Sequence, residues 1–175
     1  LVIAPSPSLK KLLRGYGVDA TIEIVPNGVE LSGFRHYSRD IERETLDLNH
    51  GDRVLIFVGR LGPEKNMTML LRAFAGAQAA IEELRLVIVG EGIERENLRD
   101  WCQRSGISEK VRFIGKVDYS AVADYLHLAD AFITASISEV HPLSIIEGMA
   151  AGLPAIGIQS PGVGDIIQDG VNGML

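Results

Sequence analysis

The feature that most constrains this chain is a regular alternation of short apolar runs with stretches of helical period. The runs Thr21–Val25, Arg53–Val58, Leu84–Val89, Val111–Ile114, Ala131–Ala135 and Leu153–Ile158 are mostly rich in Val and Ile and apolar on consecutive positions. Continuous hydrophobicity of that kind marks strands covered on both faces rather than half-buried ones. Between two of them, Met67, Leu70, Leu71 and Phe74 form an i, i+3, i+4, i+7 stripe after Asn66, which reads as an N-cap. Ser6 as cap, Pro7 in the first turn and Gly15 at the end mark an early helix. Further helices are predicted over Glu94–Arg104, Tyr119–Leu128 and Leu143–Ala151. Repeated strand-helix alternation implies an α/β fold, a Rossmann-like parallel sheet of about six strands flanked by helices with right-handed crossovers.

Composition narrows the function classes. With 175 residues, 46% hydrophobic and a net charge of −6, the chain holds one domain's worth of core and does not read as disordered. A single cysteine, Cys102, excludes an intramolecular disulfide framework. The longest nearly apolar stretch, Met149 to Ile158, is broken by Pro154 and falls short of the roughly 18 residues a membrane span needs, so a soluble, cytoplasmic protein without stable membrane insertion is expected. Asp and Glu, 23 against 17 Lys and Arg, argue against general nucleic-acid binding. Both ends read as cuts: the chain opens on Leu1-Val2-Ile3-Ala4 with no initiator Met and closes on Gly173-Met174-Leu175, where a strand should be starting.

Open parallel sheets bind ligands at the carboxyl ends of their strands. Here those ends carry Gly59-Arg60, Gly90-Glu91-Gly92, Gly115-Lys116, Ser136-Ile137-Ser138-Glu139 and Ser160-Pro161-Gly162, although tight strand-to-helix turns need glycine whatever the protein does. Gly90-Glu91-Gly92 has the context of the dinucleotide fingerprint G-x-G-x-x-G, but Arg95 stands at the third glycine. Gly115-Lys116 is followed by Val117 and makes no P-loop, and His36, His50, His127 and His141 are scattered with no metal-ligand spacing.

Two constellations are stronger. Gly59-Arg60-Leu61-Gly62-Pro63-Glu64-Lys65-Asn66 places two cations in a glycine-rich turn between a strand and a helix, Arg60 as a planar fork of donors and Lys65 as a mobile point charge, a natural pair for a diphosphate. A solvated loop with an internal Glu64–Lys65 contact is the alternative. In Ser138-Glu139-Val140-His141-Pro142-Leu143-Ser144-Ile145-Ile146-Glu147, two carboxylates lie eight positions apart, one in a loop and one inside the following helix. Pro142 fits the first helical turn, leaving the amides of Leu143 and Ser144 free to face an anion. Glu147, if buried, needs polar partners such as sugar or ribose hydroxyls; an exposed helical glutamate is the alternative.

Together with Pro26-Asn27-Gly28-Val29, Val111-Arg112-Phe113-Ile114-Gly115, Ala129-Asp130-Ala131 and Glu147-Gly148-Met149-Ala150-Ala151-Gly152-Leu153-Pro154, these segments make a recognisable whole. The chain resembles the C-terminal, nucleotide-sugar-binding domain of the large retaining glycosyltransferase family of the GT-B fold (family 4-like, group 1), over nearly its whole length. The resemblance implies one half of a GT-B hexosyltransferase. Residues 1–20 would connect from a missing N-terminal domain, and residues 21–175 would be the donor domain, truncated at its C-terminus. It implies that Arg60 and Lys65, beside Gly59, hold the donor's diphosphate, and that Glu139, first glutamate of the E-x7-E motif, contacts the transferred sugar near the reacting centre. The Leu143 and Ser144 amides would meet phosphate and sugar, Glu147 the ribose hydroxyls, and the main chain at Phe113-Ile114 the base. Members are metal-independent, so no cofactor is expected, with a UDP- or GDP-sugar as donor and a glycan or lipid acceptor bound through the missing domain. A lipid acceptor would bring the whole enzyme to the membrane surface.

The sequence departs from the family where Gly-Phe-Gly is usual, with Val140-His141-Pro142 instead. His141 then either faces the donor sugar or caps the helix. A second departure is Gly162-Val163-Gly164 followed by Asp165, in place of a Gly-Gly pair and Pro-Glu, which is expected to alter sugar selection. Three rivals stay open: a sugar-nucleotide epimerase or glucan synthase of the same fold, a nicotinamide-dependent oxidoreductase, and a non-enzymatic scaffold.

Overall fold

A computed structural model describes residues 1–35 and 43–175. The chain runs β1 (Val2–Ala4), α1 (Pro7–Gly15), β2 (Ile22–Ile24), α2 (Ser32–Arg35), β3 (Arg53–Val58), α3 (Met67–Gln78), β4 (Leu84–Val89), α4 (Arg95–Arg104), β5 (Val111–Gly115), α5 (Val122–His127), β6 (Ala131–Ile133), α6 (Leu143–Ala150), β7 (Ala155–Ile156) and β8 (Gly173–Met174), with short 3-10 turns between several of them. The last six strands form one parallel sheet in the order β5-β4-β3-β6-β7-β8.

Parity within the central strands explains their unbroken hydrophobicity. Val54 and Ile56 of β3 and Val87 and Val89 of β4 enter one core with Phe132, Ile145, Val163 and Ile167. Phe57, Leu86 and Ile88 enter a second core with Met67, Leu70, Leu71 and Phe74 of α3 and Leu98 and Cys102 of α4. A strand that fills a core on each side has no solvent face on which to place polar residues.

The sheet's membership differs from expectation at its far side. Ile22–Ile24, expected within the main sheet, pairs in parallel with Val2–Ala4 in a separate two-stranded sheet, and the sixth place is taken by β8. Apolar segments this short carry no pattern that tells one neighbour from another. The strand expected over Leu153–Ile158 contracts to β7, since Pro154 has no N–H to give the ladder, and the helix expected from Tyr119 starts at Val122 after a 3-10 turn. Ser6 caps α1 as expected, its hydroxyl accepting from the Leu9 amide at 3.2 Å. Asn66 sits at the N-cap of α3 but in the left-handed region (φ 49, ψ 42), its side-chain amide turned to the Met69 sulfur rather than capping a backbone amide of the helix.

Strand order reverses between β3 and β6, which lie side by side although two strands separate them in sequence. A crevice opens outside the carboxyl ends of such a pair. The loops leaving β3 and β6 are the two that the sequence marks as chemical.

Candidate functional site

The loop after β3 is rigid because it is stitched to its neighbours by backbone. The Gly59 amide donates to Val89 O (3.0 Å), Leu61 N to Glu91 O (2.8 Å) and Glu94 N to Leu61 O (3.2 Å). That stitching accounts for the glycines after β4: a Cβ at Gly90 would stand 1.9 Å from Gly59 O, and one at Gly92 2.2 Å from Leu61 O. Packing between two loops is enough to require glycine at both positions. Arg95, at the place of the third glycine, pairs with Glu91 and donates to Phe113 O at 3.5 Å, occupying the turn a dinucleotide would need.

Lys65 reaches across the crevice and forms an ion pair with Glu139 of the loop after β6; their side chains are only 16% and 15% exposed. The Ile137 amide, donating to Glu64 O at 3.0 Å, ties the same two loops through the backbone. The alternative, an internal Glu64–Lys65 contact, is not what these side chains form among the described residues. Glu64 instead accepts from the Arg60 guanidinium at 2.6 Å, while Arg60 itself is 75% exposed. A backbone hydrogen bond, aided by Arg60 and opposed by burial, holds the Glu64 carboxyl below the usual carboxylate range.

Glu139 is seated from behind by the loop after β7. Its amide donates to Pro161 O at 3.3 Å, and Gly162 (φ +79) passes so close that a Cβ there would meet Glu139 O at 2.4 Å. The buried hydroxyls of Thr134 and Ser136 are bonded to each other at 3.1 Å, and Ser160 donates to Ser136 O at 2.6 Å, so the floor of the crevice is polar but satisfied.

Pro142 is the N-cap of α6 (φ −69, ψ 109), one position earlier than its expected place in the first turn. The amides of Leu143 and Ser144 consequently open the helix, and neither bonds to another described residue. Further along α6, Glu147 is 6% exposed, which settles its placement against the exposed alternative. Burial raises its pKa, and a hydrogen bond from the Tyr119 hydroxyl pulls the other way. His141 keeps its Nδ1 enclosed and without a partner among the described residues.

A cleft of about 340 Å³ lies at the ends of β3, β4 and β5, lined by Val58, Gly59, Arg60, Val89, Gly90, Glu91, Lys116, Val117 and Val122; of the candidate site residues it takes in Gly59 and Arg60. Its wall on the β5 side is Lys116 and Val117, whereas the Ile114 side chain packs into the core. Lys116 was marked by the sequence as a strand end, whereas nothing in its sequence surroundings marked Tyr119. A larger groove of about 830 Å³, between α4 and the edge strand β5, shares no residue with this cleft. Among the described residues no three His, Cys, Asp or Glu side chains gather as metal ligands, and His36 lies outside the described residues.

The family profile "Glycosyl transferases group 1" matches residues 38–175. The chain belongs to the group 1 glycosyltransferases. Among sequence relatives of this glycosyltransferase chain, alpha-monoglucosyldiacylglycerol synthase of Streptococcus pneumoniae is 32% identical over 99% of the chain and 41% of its own length. D-inositol 3-phosphate glycosyltransferase 2 of Catenulispora acidiphila is 34% identical over 100% of the chain and 43% of its own length. In fold, the chain superposes on Anabaena HepE, crystallised with UDP and glucose, with a TM-score of 0.88 at 23% identity, over 100% of this chain and 48% of that one. Sucrose-phosphate synthase from Thermosynechococcus elongatus superposes at 0.79 and 27% identity, over 93% and 41%. The glycosyltransferase chain therefore spans less than half the length of these relatives. The family match and the turn filled by Arg95 both speak against the oxidoreductase alternative. Among the described residues, no helix is long and apolar enough to cross a membrane.

Proposed function

We propose that the chain is the donor-binding half of a glycosyltransferase that moves a hexose from a nucleoside diphosphate sugar to a glycan or lipid acceptor with retained configuration. The observation that carries this reading is the Lys65–Glu139 pair bridging the crevice where the strand order reverses, flanked by exposed Arg60 and the open amides of α6. A diphosphate placed there meets Lys65, Arg60 and the positive end of a helix dipole, which can carry its charge without a bound cation. Glu139, oriented by Lys65, faces the sugar, and Glu147 accepts from the ribose hydroxyls. The unpaired His141 Nδ1 is suited to a sugar hydroxyl.

In the transfer, the bond between the anomeric carbon and the leaving phosphate oxygen breaks and the acceptor oxygen bonds to that carbon. The acceptor's proton passes to the departing phosphate, whose growing charge Arg60 and Lys65 stabilise. UDP is the favoured nucleotide, given the UDP and glucose held by the HepE structure and the glucosyl product named for the pneumococcal relative. The monoglucosyldiacylglycerol in that relative's name also favours a lipid acceptor, which would bring the complete enzyme to a membrane surface. Residues 1–20 would connect to the acceptor-binding part of such an enzyme.

Titration calorimetry against UDP, GDP, ADP and NAD tests the reading. One nucleoside diphosphate should bind, and Lys65→Ala should abolish most of its affinity. Binding of NAD alone, or of no nucleotide, would sink the proposal.

A further inference from the structure

Two loops at the crevice, at Val140–His141 and at Asp165, are held by the N-terminal segment. The Ser6 hydroxyl donates to Val140 O at 2.8 Å and the Asn27 side-chain amide to His141 O at 3.3 Å. Asp165 Oδ2 accepts from the Ser8 amide at 3.3 Å and the Gly162 amide at 3.2 Å. Among the described residues, no other group donates to the Val140 or His141 carbonyl. Ser6 is fully buried and does two things with one hydroxyl: its oxygen caps α1 through Leu9 N while its proton goes to Val140, within the capacity of a serine.

The segment between Glu139 and α6 is thus tethered on two sides. Lys65 holds the Glu139 carboxylate from within the crevice, and residues more than a hundred positions upstream hold the next two carbonyls. Fixing those carbonyls fixes two successive peptide planes and with them the direction in which the His141 ring leaves the backbone. Arg60 and Lys65 stand on the loop after β3 and need no such tether.

We infer that Ser6 and Asn27 are positioning residues that set the Val140–His141 loop for the sugar of the donor, and that the N-terminal segment thereby discriminates a sugar nucleotide from the bare nucleotide. The inference rests on the proposed donor site, in which the diphosphate and the sugar meet different loops.

Calorimetry of the whole chain with UDP and with UDP-glucose separates the two. Asn27 is exposed, so Asn27→Asp leaves the fold alone while turning a donor into an acceptor opposite the His141 carbonyl. Asn27→Asp and Ser6→Ala should each weaken UDP-glucose binding by about three- to tenfold, the worth of one net hydrogen bond, and leave UDP within about twofold. Ser6→Thr, which retains both bonds, should restore the wild-type ratio. Equal losses for both probes, no loss for Asn27→Asp, or a Ser6→Thr variant as weak as Ser6→Ala would overturn the inference and leave the donor site standing. Failure of the wild-type chain to bind either probe would overturn the donor site, and the inference with it.

Discussion

Replacing Glu147 by glutamine should make the protein more stable at neutral pH and poorer at holding a nucleotide. The carboxyl is 6% exposed, and burial raises its pKa above the ordinary 4.5, with the Tyr119 hydroxyl partly offsetting that rise. The folded state therefore keeps this proton to higher pH than the unfolded chain does. As pH climbs past the ordinary value the unfolded chain ionises first and is stabilised, so this group's contribution declines until the raised pKa is passed and is flat beyond it. Glutamine carries no charge to bury and can still accept from Tyr119, so that decline should vanish from urea titrations run between pH 4 and pH 8. Binding moves the other way. A carboxylate can accept from both ribose hydroxyls, whereas glutamine offers one acceptor oxygen and two donors. Losing one hydrogen bond to a charged acceptor costs about 1.5–3 kcal/mol, so UDP should bind about 10–150-fold more weakly by calorimetry. An unchanged UDP affinity would refute the ribose assignment. A pH dependence of stability identical to wild type would refute the account of the buried carboxyl.

Lys65→Ala should lower stability by about 2 kcal/mol in urea titrations, less than the 3–5 kcal/mol of a fully buried pair because both partners keep some water. Arg60→Ala, at an exposed side chain, should change stability by no more than about 0.5 kcal/mol yet weaken UDP more than uridine, a contrast that isolates its phosphate role. Gly162→Ala should destabilise by about 1–3 kcal/mol, since it combines φ +79 with a Cβ 2.4 Å from Glu139 O, and its thermal melt should fall accordingly. Cys102, 1% exposed with its thiol pushed up to about 11 by burial, should react with Ellman's reagent at pH 8 only as the protein unfolds.

The bounds of β3 and β4 could be read from the sequence because strands that feed two cores are apolar throughout, and that pattern is local. β1, β2 and β8 were harder, since two or three residues hold no periodicity and their partners are chosen by the rest of the fold. Motif residues marked the candidate site: Arg60, Lys65, Glu139 and Glu147 stood out by chemistry and spacing. What they touch did not. Lys65 and Glu139 are separated by 74 positions, so only the return of β6 to the flank of β3 reveals that they pair, and that Arg60 rather than Lys65 takes Glu64. Gly90-Glu91-Gly92 is ambiguous in sequence for a physical reason: close backbone approach demands glycine equally when the approaching group is a neighbouring loop or a phosphate. Tyr119 escaped notice because a tyrosine at a predicted helix start carries no sign of a carboxylate on another helix.

The sheet order also has a temporal side. β3, β4 and β5 are neighbours in sequence and in space and can zip together early, whereas β6 must close a loop of more than seventy residues to reach β3. Contacts of such long range form late. Because Glu139 follows β6 and Lys65 follows β3, their pairing across the crevice must await that strand, although the cleft at the ends of β3, β4 and β5 draws no lining residue from β6. Donor binding that draws on the Lys65–Glu139 pair should accordingly appear only once β6 has docked, so that it serves as a clock for the completion of the fold.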